Sequence, residues 1–80
     1  TSHAPLMTWT LRVATGREAG RRADLADSAT LLIGRGEDCG LRLSDPSASR
    51  VHCKILSAGG RLYVEDAGSR WGTLVNNVPV

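Results

Sequence analysis

Apolar and polar residues alternate in several short segments of the chain. Successive side chains of an extended strand point to opposite faces, so this period of two predicts β-strands with one apolar face. No stretch carries an apolar stripe at helical spacing. Each segment is bounded by glycine, proline, asparagine or Asp-Ser, which are typical of turns. The alternating segments are residues 9–13, 41–43, 51–55 and 62–64.

Other segments add strands and turns of the same class. SAGGRLYV, residues 57–64, predicts a hairpin, because Gly59-Gly60 accepts the positive φ angles of a tight turn. RADLADSA, residues 22–29, predicts a strand followed by a turn, and further strands are expected at residues 30–33 and 73–75. Strands of this kind bury their apolar faces only against another sheet. An all-β sandwich or a small barrel is therefore expected.

Length and composition limit the architecture to one domain, residues 1–80. The hydrophobic fraction of 41% and the charged fraction of 22% are typical of a soluble globular protein. No apolar run is long enough to span a membrane, and the N-terminus lacks the features of a signal peptide. We expect a cytoplasmic protein with no membrane partner.

The cysteines and histidines do not have the spacing of a metal site. His3, His52, Cys39 and Cys53 form neither a CxxC pair nor a complete zinc pattern, so no metal and no cofactor is expected. Cys53 lies in an alternating segment and is most simply a small buried hydrophobic residue. A disulfide between the two cysteines stays an open alternative.

The charge balance is mildly basic, with a formal net charge of +2. This value alone does not indicate a nucleic-acid partner. Nine of the ten basic residues are arginine, which suits two-pronged binding of oxyanions better than lysine does. A nucleic-acid binder would use Arg17, Arg21, Arg22 and Arg35, but the simpler expectation places the first three in a solvated hairpin loop.

Three polar loops carry the candidate chemistry. The first is Gly34-Arg35-Gly36, where an apolar strand ends, and the second is SDPSASRVH, residues 44–52. The third is DAGSRWGT, residues 66–73. Ser49, His52 and Asp66 include the residue types of a hydrolase triad, but the chain has no nucleophile elbow and no oxyanion motif. No catalytic residue and no enzymatic activity is expected, and His52 is interpreted as a structural histidine.

The order and spacing of the three loops are specific together. A strand ending in Gly-Arg, then Ser-Arg-Val-His, then Asp-Ala-Gly-Ser-Arg-Trp-Gly-Thr-Leu-Val-Asn resembles the forkhead-associated (FHA) domain, over about residues 11–77. The resemblance implies a two-sheet antiparallel β-sandwich of the FHA/SMAD type, which binds phosphothreonine peptides through loops at one end. Arginine-based recognition of phosphorylated motifs is the mode of this family.

Carried over by motif position, the resemblance implies a role for each loop residue. Arg35 and Ser49 would hold the phosphate, and Arg50 would contact the phosphate or the peptide backbone. Ser69, Arg70 and Trp71 would belong to the peptide-binding surface. The residues expected to brace the loops are Gly34, His52, Asp66, Gly72 and Thr73.

Two departures from the family pattern change these expectations. Trp71 stands where the family has an asparagine, and indole offers one donor, no acceptor and a large apolar face. The family pattern also continues with two further strands, which the chain ending at Val80 is expected to lack. Open sheet edges suggest the hypothesis that two copies pair or exchange strands into a dimer.

Two functions from different classes follow. The first is a phosphothreonine-dependent binding module in Ser/Thr kinase signalling, whose partner is a phosphorylated protein, the kinase or its substrates. The second is an interaction module that uses the same loops and Trp71 on an unphosphorylated partner.

Overall fold

The computed structural model describes residues 8–80. Residues 1–7 of the expected domain, among them His3, lie outside the described residues. Within residues 8–80 every regular element is a strand, and none is a helix long and apolar enough to cross a membrane. The strands are β1 (Thr8–Arg12), β2 (Arg22–Ala26), β3 (Thr30–Gly34), β4 (Leu41–Arg42), β5 (Cys53–Ala58), β6 (Arg61–Asp66), β7 (Leu74–Val75) and β8 (Val78–Pro79).

The strands form three hydrogen-bonded sheets. β1 pairs with β2, the order β4-β3-β5-β6 makes a four-stranded sheet, and β7 pairs with β8. The predicted all-β class is confirmed. One pairing differs from the purely antiparallel expectation, because β4 runs parallel to the end of β3, with Ile33 opposite Leu41 and Gly34 opposite Arg42. The chain therefore runs in the same direction before and after the loop of residues 35–40. Alternation of apolar and polar residues predicts a strand, but it does not predict the direction in which that strand pairs.

The predicted hairpin between β5 and β6 is confirmed. Gly59 and Gly60 both have positive φ angles, 58° and 77°, and Ala58 lies opposite Arg61. Two positive φ angles are the mark of a type I′ turn, whose twist matches that of the strands it joins. RADLADSA also folds as predicted, as β2 followed by a turn.

The core lies between the four-stranded sheet and the β1–β2 hairpin. Alternation along β3 and β5 places Leu31 opposite Ile55 and Ile33 opposite Cys53, and all four side chains are buried. Leu25 of β2 packs against this cluster and is 3% exposed. Apolar faces from two layers thus meet, as the sandwich prediction requires.

Cys39 and Cys53 are buried free thiols. Burial, with the nearby charge of Asp66, raises the pKa of the Cys53 thiol. The interpretation of Cys53 as a small buried hydrophobic residue agrees with its place in the core cluster.

Candidate functional site

Gly34 lets two of the polar loops approach each other. A Cβ atom at this position would lie 2.7 Å from the carbonyl oxygen of Ser49 and would also collide with that of Arg50. Backbone atoms on the opposite side cannot swing away as a flexible side chain would. The glycine that ends β3 therefore brings the first loop against the second.

Backbone hydrogen bonds hold these two loops in register. The amide of Arg35 donates to the carbonyl of Ser49 at 3.0 Å, and the amide of Gly36 donates to that of Arg50 at 2.8 Å. The amide of His52 donates to the carbonyl of Ile33 at 2.8 Å. Arg35 and Ser49 are consequently fixed side by side at one end of the four-stranded sheet.

The Arg35 side chain is anchored to the same loop by one of its nitrogen atoms. Its Nε donates to the carbonyl oxygen of Ala48 at 2.5 Å. The two terminal nitrogens of the exposed guanidinium keep their protons available for an acceptor from outside. Such a fork is matched in geometry to a carboxylate or a phosphate.

Ser49 connects the second loop to the third. Its hydroxyl oxygen accepts a hydrogen bond from the amide of Arg70 at 3.1 Å, which leaves the hydroxyl proton free to donate. Its own amide donates to Nδ1 of His52 at 3.1 Å. The side chain is half-buried, so its orientation is defined while its proton stays within reach of a ligand.

His52 braces the second and third loops. Because Nδ1 accepts from the Ser49 amide, the proton of the neutral ring resides on Nε2. Nε2 donates to the carbonyl oxygen of Gly72 at 2.7 Å. The ring therefore spans the two loops through one hydrogen bond to each.

The Asp66 carboxylate organises the third loop. It accepts from the amides of Gly68 and Ser69 at 3.1 and 3.0 Å, and from the hydroxyls of Ser69 and Thr73 at 2.5 and 2.8 Å. The hydroxyls of Ser69 and Thr73, followed by the amides, lower the pKa of Asp66. An ionised Asp66 is thus the acceptor around which the loop folds.

Ser69 has both hydrogen-bonding capacities of its hydroxyl engaged inside the loop. The hydroxyl donates to Asp66 and accepts from the amide of Gly72 at 2.9 Å. The place of Ser69 at the peptide-binding surface stays a prediction, and these bonds show that its hydroxyl also ties the loop together. Gly72, with φ of +81°, is tied to both Ser69 and His52.

Arg70 and Trp71 form the exposed tip of the third loop. The guanidinium carbon of Arg70 lies 5.2 Å from the centre of the Trp71 ring, a cation–π arrangement. Trp71 is 69% exposed, the largest exposed fraction among the large hydrophobic residues of the described chain. The tip lies beside Ser49, through the bond from the Arg70 amide.

A shallow polar depression collects the arginines at this end. Arg35, Arg42 and Arg50 line it, together with Gly36, Glu37 and Asp38. Among residues 8–80 the ion pair found within 4 Å is that of Lys54 on β5 with Glu65 on β6, at 3.4 Å, and it includes no residue that lines the depression. Within the described residues none of these three guanidinium groups forms an ion pair within 4 Å, although Glu37 and Asp38 line the same depression. Within the same residues, no three His, Cys, Asp or Glu side chains group as a metal site would require.

Arg42 and Ala48 contribute to this site, although the resemblance to the family did not point to them. Arg42 Nε donates to the carbonyl of Arg35 at 2.9 Å, and Ala48 supplies the carbonyl that anchors the Arg35 side chain. The signal for Arg42 was present, since a polar residue between Leu41 and Leu43 has to face away from the core. Nothing in the local sequence points to Ala48, because it acts through its backbone.

Arg17 and Arg21 lie exposed in the connection between β1 and β2, as expected, and only Arg22 of the three belongs to a strand. Arg22 begins β2 and lies opposite Arg12 of β1. Arg21 donates from Nη1 to the carbonyl of Arg42 at 3.0 Å, so it reaches from the β1–β2 connection to β4. This contact joins residues 21 positions apart, beyond the reach of local pattern.

The chain is similar in sequence to known proteins. The chain is 40% identical over 70 residues to the FHA domain-containing protein FhaB of Mycolicibacterium smegmatis, covering 88% of the chain and 44% of FhaB. It is 41% identical over 70 residues to the glycogen accumulation regulator GarA of the same organism, with the same coverage of 88% and 44%. The chain thus spans less than half the length of these curated relatives.

Two solved structures share the fold. One, from a structural and functional analysis of phosphothreonine-dependent FHA domain interactions, has a TM-score of 0.80 and 38% identity over 92% of this chain and 74% of that chain. The other is the FhaA FHA domain complexed with the intracellular domain of Rv3910, with a TM-score of 0.77 and 38% identity over 92% of this chain and 77% of that chain. The family profile described as FHA domain matches residues 31–80, which include all three loops. The chain belongs to the FHA domain family.

Proposed function

We propose that the chain is a phosphothreonine-dependent binding module in which Arg35 and Ser49 hold the phosphate and Arg50 completes the site. The observation that carries the proposal is the position of the Ser49 hydroxyl. Its oxygen is held by the Arg70 amide and its proton is free, on the loop to which Arg35 is bonded through both its amide and its Nε. A fixed hydroxyl donor beside a fixed guanidinium fork suits a phosphate dianion.

The energetics of these groups suffice for a useful affinity. A phosphoryl group carries about −1.5 to −2 charges and three strong acceptor oxygens. Charge-assisted hydrogen bonds contribute about 1.5 to 3 kcal/mol each. Two or three of them, with main-chain contacts from an extended peptide, support a dissociation constant in the micromolar range, which corresponds to a binding free energy of about −8 kcal/mol. The ligand brings its own charge, and no covalent chemistry by the protein is required.

The relatives support the same reading of the loops. One similar structure belongs to a phosphothreonine-dependent FHA domain interaction, and another holds the intracellular domain of a second protein. By extension, the partner of this chain is a phosphothreonine-bearing protein of a Ser/Thr kinase pathway, either the kinase or its substrate. We place that interaction in the cytoplasm, as the sequence led us to expect.

In this proposal Ser69, Arg70 and Trp71 form the surface that contacts the peptide flanking the phosphothreonine, and the Ser69 hydroxyl also braces their loop. The indole face at 69% exposure suits an aliphatic or aromatic side chain of the ligand. The same exposure favours a second candidate function, in which Trp71 contacts an unphosphorylated partner. The two functions differ in whether the phosphate is required.

A titration with matched peptides separates them. Three forms of one peptide are prepared: one with threonine, one with phosphothreonine and one with phosphoserine at that position. Each is titrated against the wild type, Arg35→Ala, Ser49→Ala and Arg61→Ala. Arg61→Ala removes one positive charge, as Arg35→Ala does, but at the far end of the β5–β6 hairpin. Phosphopeptide binding lost in the first two variants and kept in Arg61→Ala supports the proposal. Equal binding of the bare peptide supports the unphosphorylated partner instead.

A second copy of the chain is a further proposed partner. Leu74, Val78 and Val80 of the β7–β8 region are 62%, 61% and 51% exposed. By the strand register, Val78 lies opposite Val75 on one face of the β7–β8 hairpin and Leu74 lies on the other, and exposed apolar side chains favour association of like surfaces. Sedimentation velocity at high concentration tests this dimer, and a monomer at all concentrations rules it out.

A further inference from the structure

A second basic depression adjoins the proposed phosphate site. It is lined by Glu18, Arg21, Arg35, Arg42, Leu43 and Ser44. Arg35 and Arg42 line both depressions, so the two form one continuous surface. The second depression lies between the β1–β2 connection and the segment that follows β4.

The guanidinium groups of this depression are positioned by backbone carbonyls rather than by carboxylates. Arg42 Nε donates to the carbonyl of Arg35 at 2.9 Å, and Arg21 Nη1 donates to the carbonyl of Arg42 at 3.0 Å. Each bond uses one nitrogen and leaves the others of that fork free. Arg21, Arg42 and Arg35 therefore form a consecutive row of partly anchored cations.

Glu18 is the one acidic side chain that lines this depression, and both of its carboxylate oxygens are engaged within it. They accept from the amide and the hydroxyl of Ser44, the latter at 2.9 Å. These bonds, with smaller effects from the charges of Arg21 and Arg17, lower the pKa of Glu18. Its role is to fasten the β1–β2 connection to the segment after β4, which places Arg21 beside Arg42. Three arginines against one carboxylate leave the depression positive.

We propose that Arg21 and Arg42 form a second anion subsite, which takes an acidic group of the same peptide close to the phosphothreonine. The inference rests on the proposed phosphate site at Arg35 and Ser49. An extended peptide advances about 3.3 Å per residue, so adjoining depressions are served by side chains about two to four residues apart. The recognised chemistry is an oxyanion, either the carboxylate of Asp or Glu or a second phosphate. The substrate class is thus an acidic or doubly phosphorylated threonine segment.

The subsite is tested with phosphothreonine peptides that carry one extra acidic group at each flanking position in turn. One series uses glutamate, a second uses phosphoserine, and the reference carries glutamine. At the best position the wild type is expected to bind the acidic peptide about two- to fivefold more tightly than the reference. Comparison of the first two series distinguishes a carboxylate from a phosphate as the preferred group. This gain is expected to shrink as salt is raised, because the subsite is exposed.

The variants Arg21→Gln and Arg42→Gln are expected to lose most of the gain, measured as the ratio of the two dissociation constants within each variant. Glutamine keeps an amide donor for the carbonyl that each arginine contacts, and Arg61→Gln is the matched control. Two results overturn the subsite alone, provided that the reference peptide binds well. In the first, no acidic flanking residue increases the affinity; in the second, the increase survives both Arg21→Gln and Arg42→Gln. Loss of phosphate dependence in the reference peptide overturns the proposed function instead.

Discussion

The amide of Arg70 donates a hydrogen bond to the hydroxyl oxygen of Ser49 at 3.1 Å, across 21 residues of sequence. This bond has two consequences for recognition. It holds the Ser49 side chain in one rotamer, and it leaves the hydroxyl proton available to donate to an acceptor on a bound ligand. The third loop, which carries Trp71, thereby orients the hydroxyl donor of Ser49 on the second loop.

Replacement of Ser49 tests that assignment. Ser49→Ala removes the hydroxyl donor and leaves the Arg70 amide without its acceptor, so phosphopeptide affinity is expected to fall by roughly tenfold or more. Ser49→Thr keeps the hydroxyl and is expected to retain most of the affinity. Calorimetric titration of both variants measures the difference. Equal affinities of the alanine and threonine variants would contradict the role of the hydroxyl.

Removal of the His52 ring is expected to loosen two loops at once. His52→Ala loses the bond accepted from Ser49 and the bond donated to Gly72, at 3.1 and 2.7 Å. We expect a loss of about 1–3 kcal/mol in the free energy of unfolding, measured in urea. Phosphopeptide affinity falls with it, since the Ser49 backbone is no longer held. A destabilised variant with unchanged affinity would show that the ring serves folding only.

Gly34→Ala is expected to destabilise the protein by about 1–3 kcal/mol, because the new Cβ collides with backbone carbonyls of the second loop. The ladder from Arg35 to Ser49 has to open for the methyl group to fit. Urea unfolding gives the stability, and amide hydrogen exchange at Arg35 and Gly36 locates the change. Wild-type stability for this variant would show that the loops approach less closely.

The Asp66 carboxylate predicts an acid-sensitive stability. Its pKa is lowered on folding, so its ionised form stabilises the folded state at pH values above its ordinary pKa of 3.8. That contribution is lost as pH falls below 3.8 and through the lowered pKa of the folded state. Glu18 and Asp45, whose pKa values are also lowered, add to the same trend. Asp66→Asn is expected to be less stable at neutral pH and to show a shallower decline in urea midpoint between pH 5 and pH 2. An unchanged slope would contradict this role.

Local features of the sequence predicted those parts of the structure that depend on neighbouring residues. Gly59-Gly60 predicts its hairpin because two positive φ angles are a property of the turn itself. The β3–β4 pairing was not foreseen, since alternation is the same for either strand direction. The engaged hydroxyl of Ser69 was also not foreseen, because its acceptor depends on how the whole third loop closes around Asp66. The contact of Arg21 was not foreseen for a related reason, because the carbonyl that it contacts, that of Arg42, lies on another sheet.

The central claim is that Arg35 and Ser49 receive a phosphate together, and backbone and side-chain NMR of the protein during peptide titration tests it most directly. With the phosphothreonine peptide, the account predicts the largest shifts at the Arg35 guanidinium and the amides of residues 49–50, and little change with the bare peptide. The same shifts with both peptides, or shifts that leave Arg35 and Ser49 unmoved while the β7–β8 region responds, would contradict it.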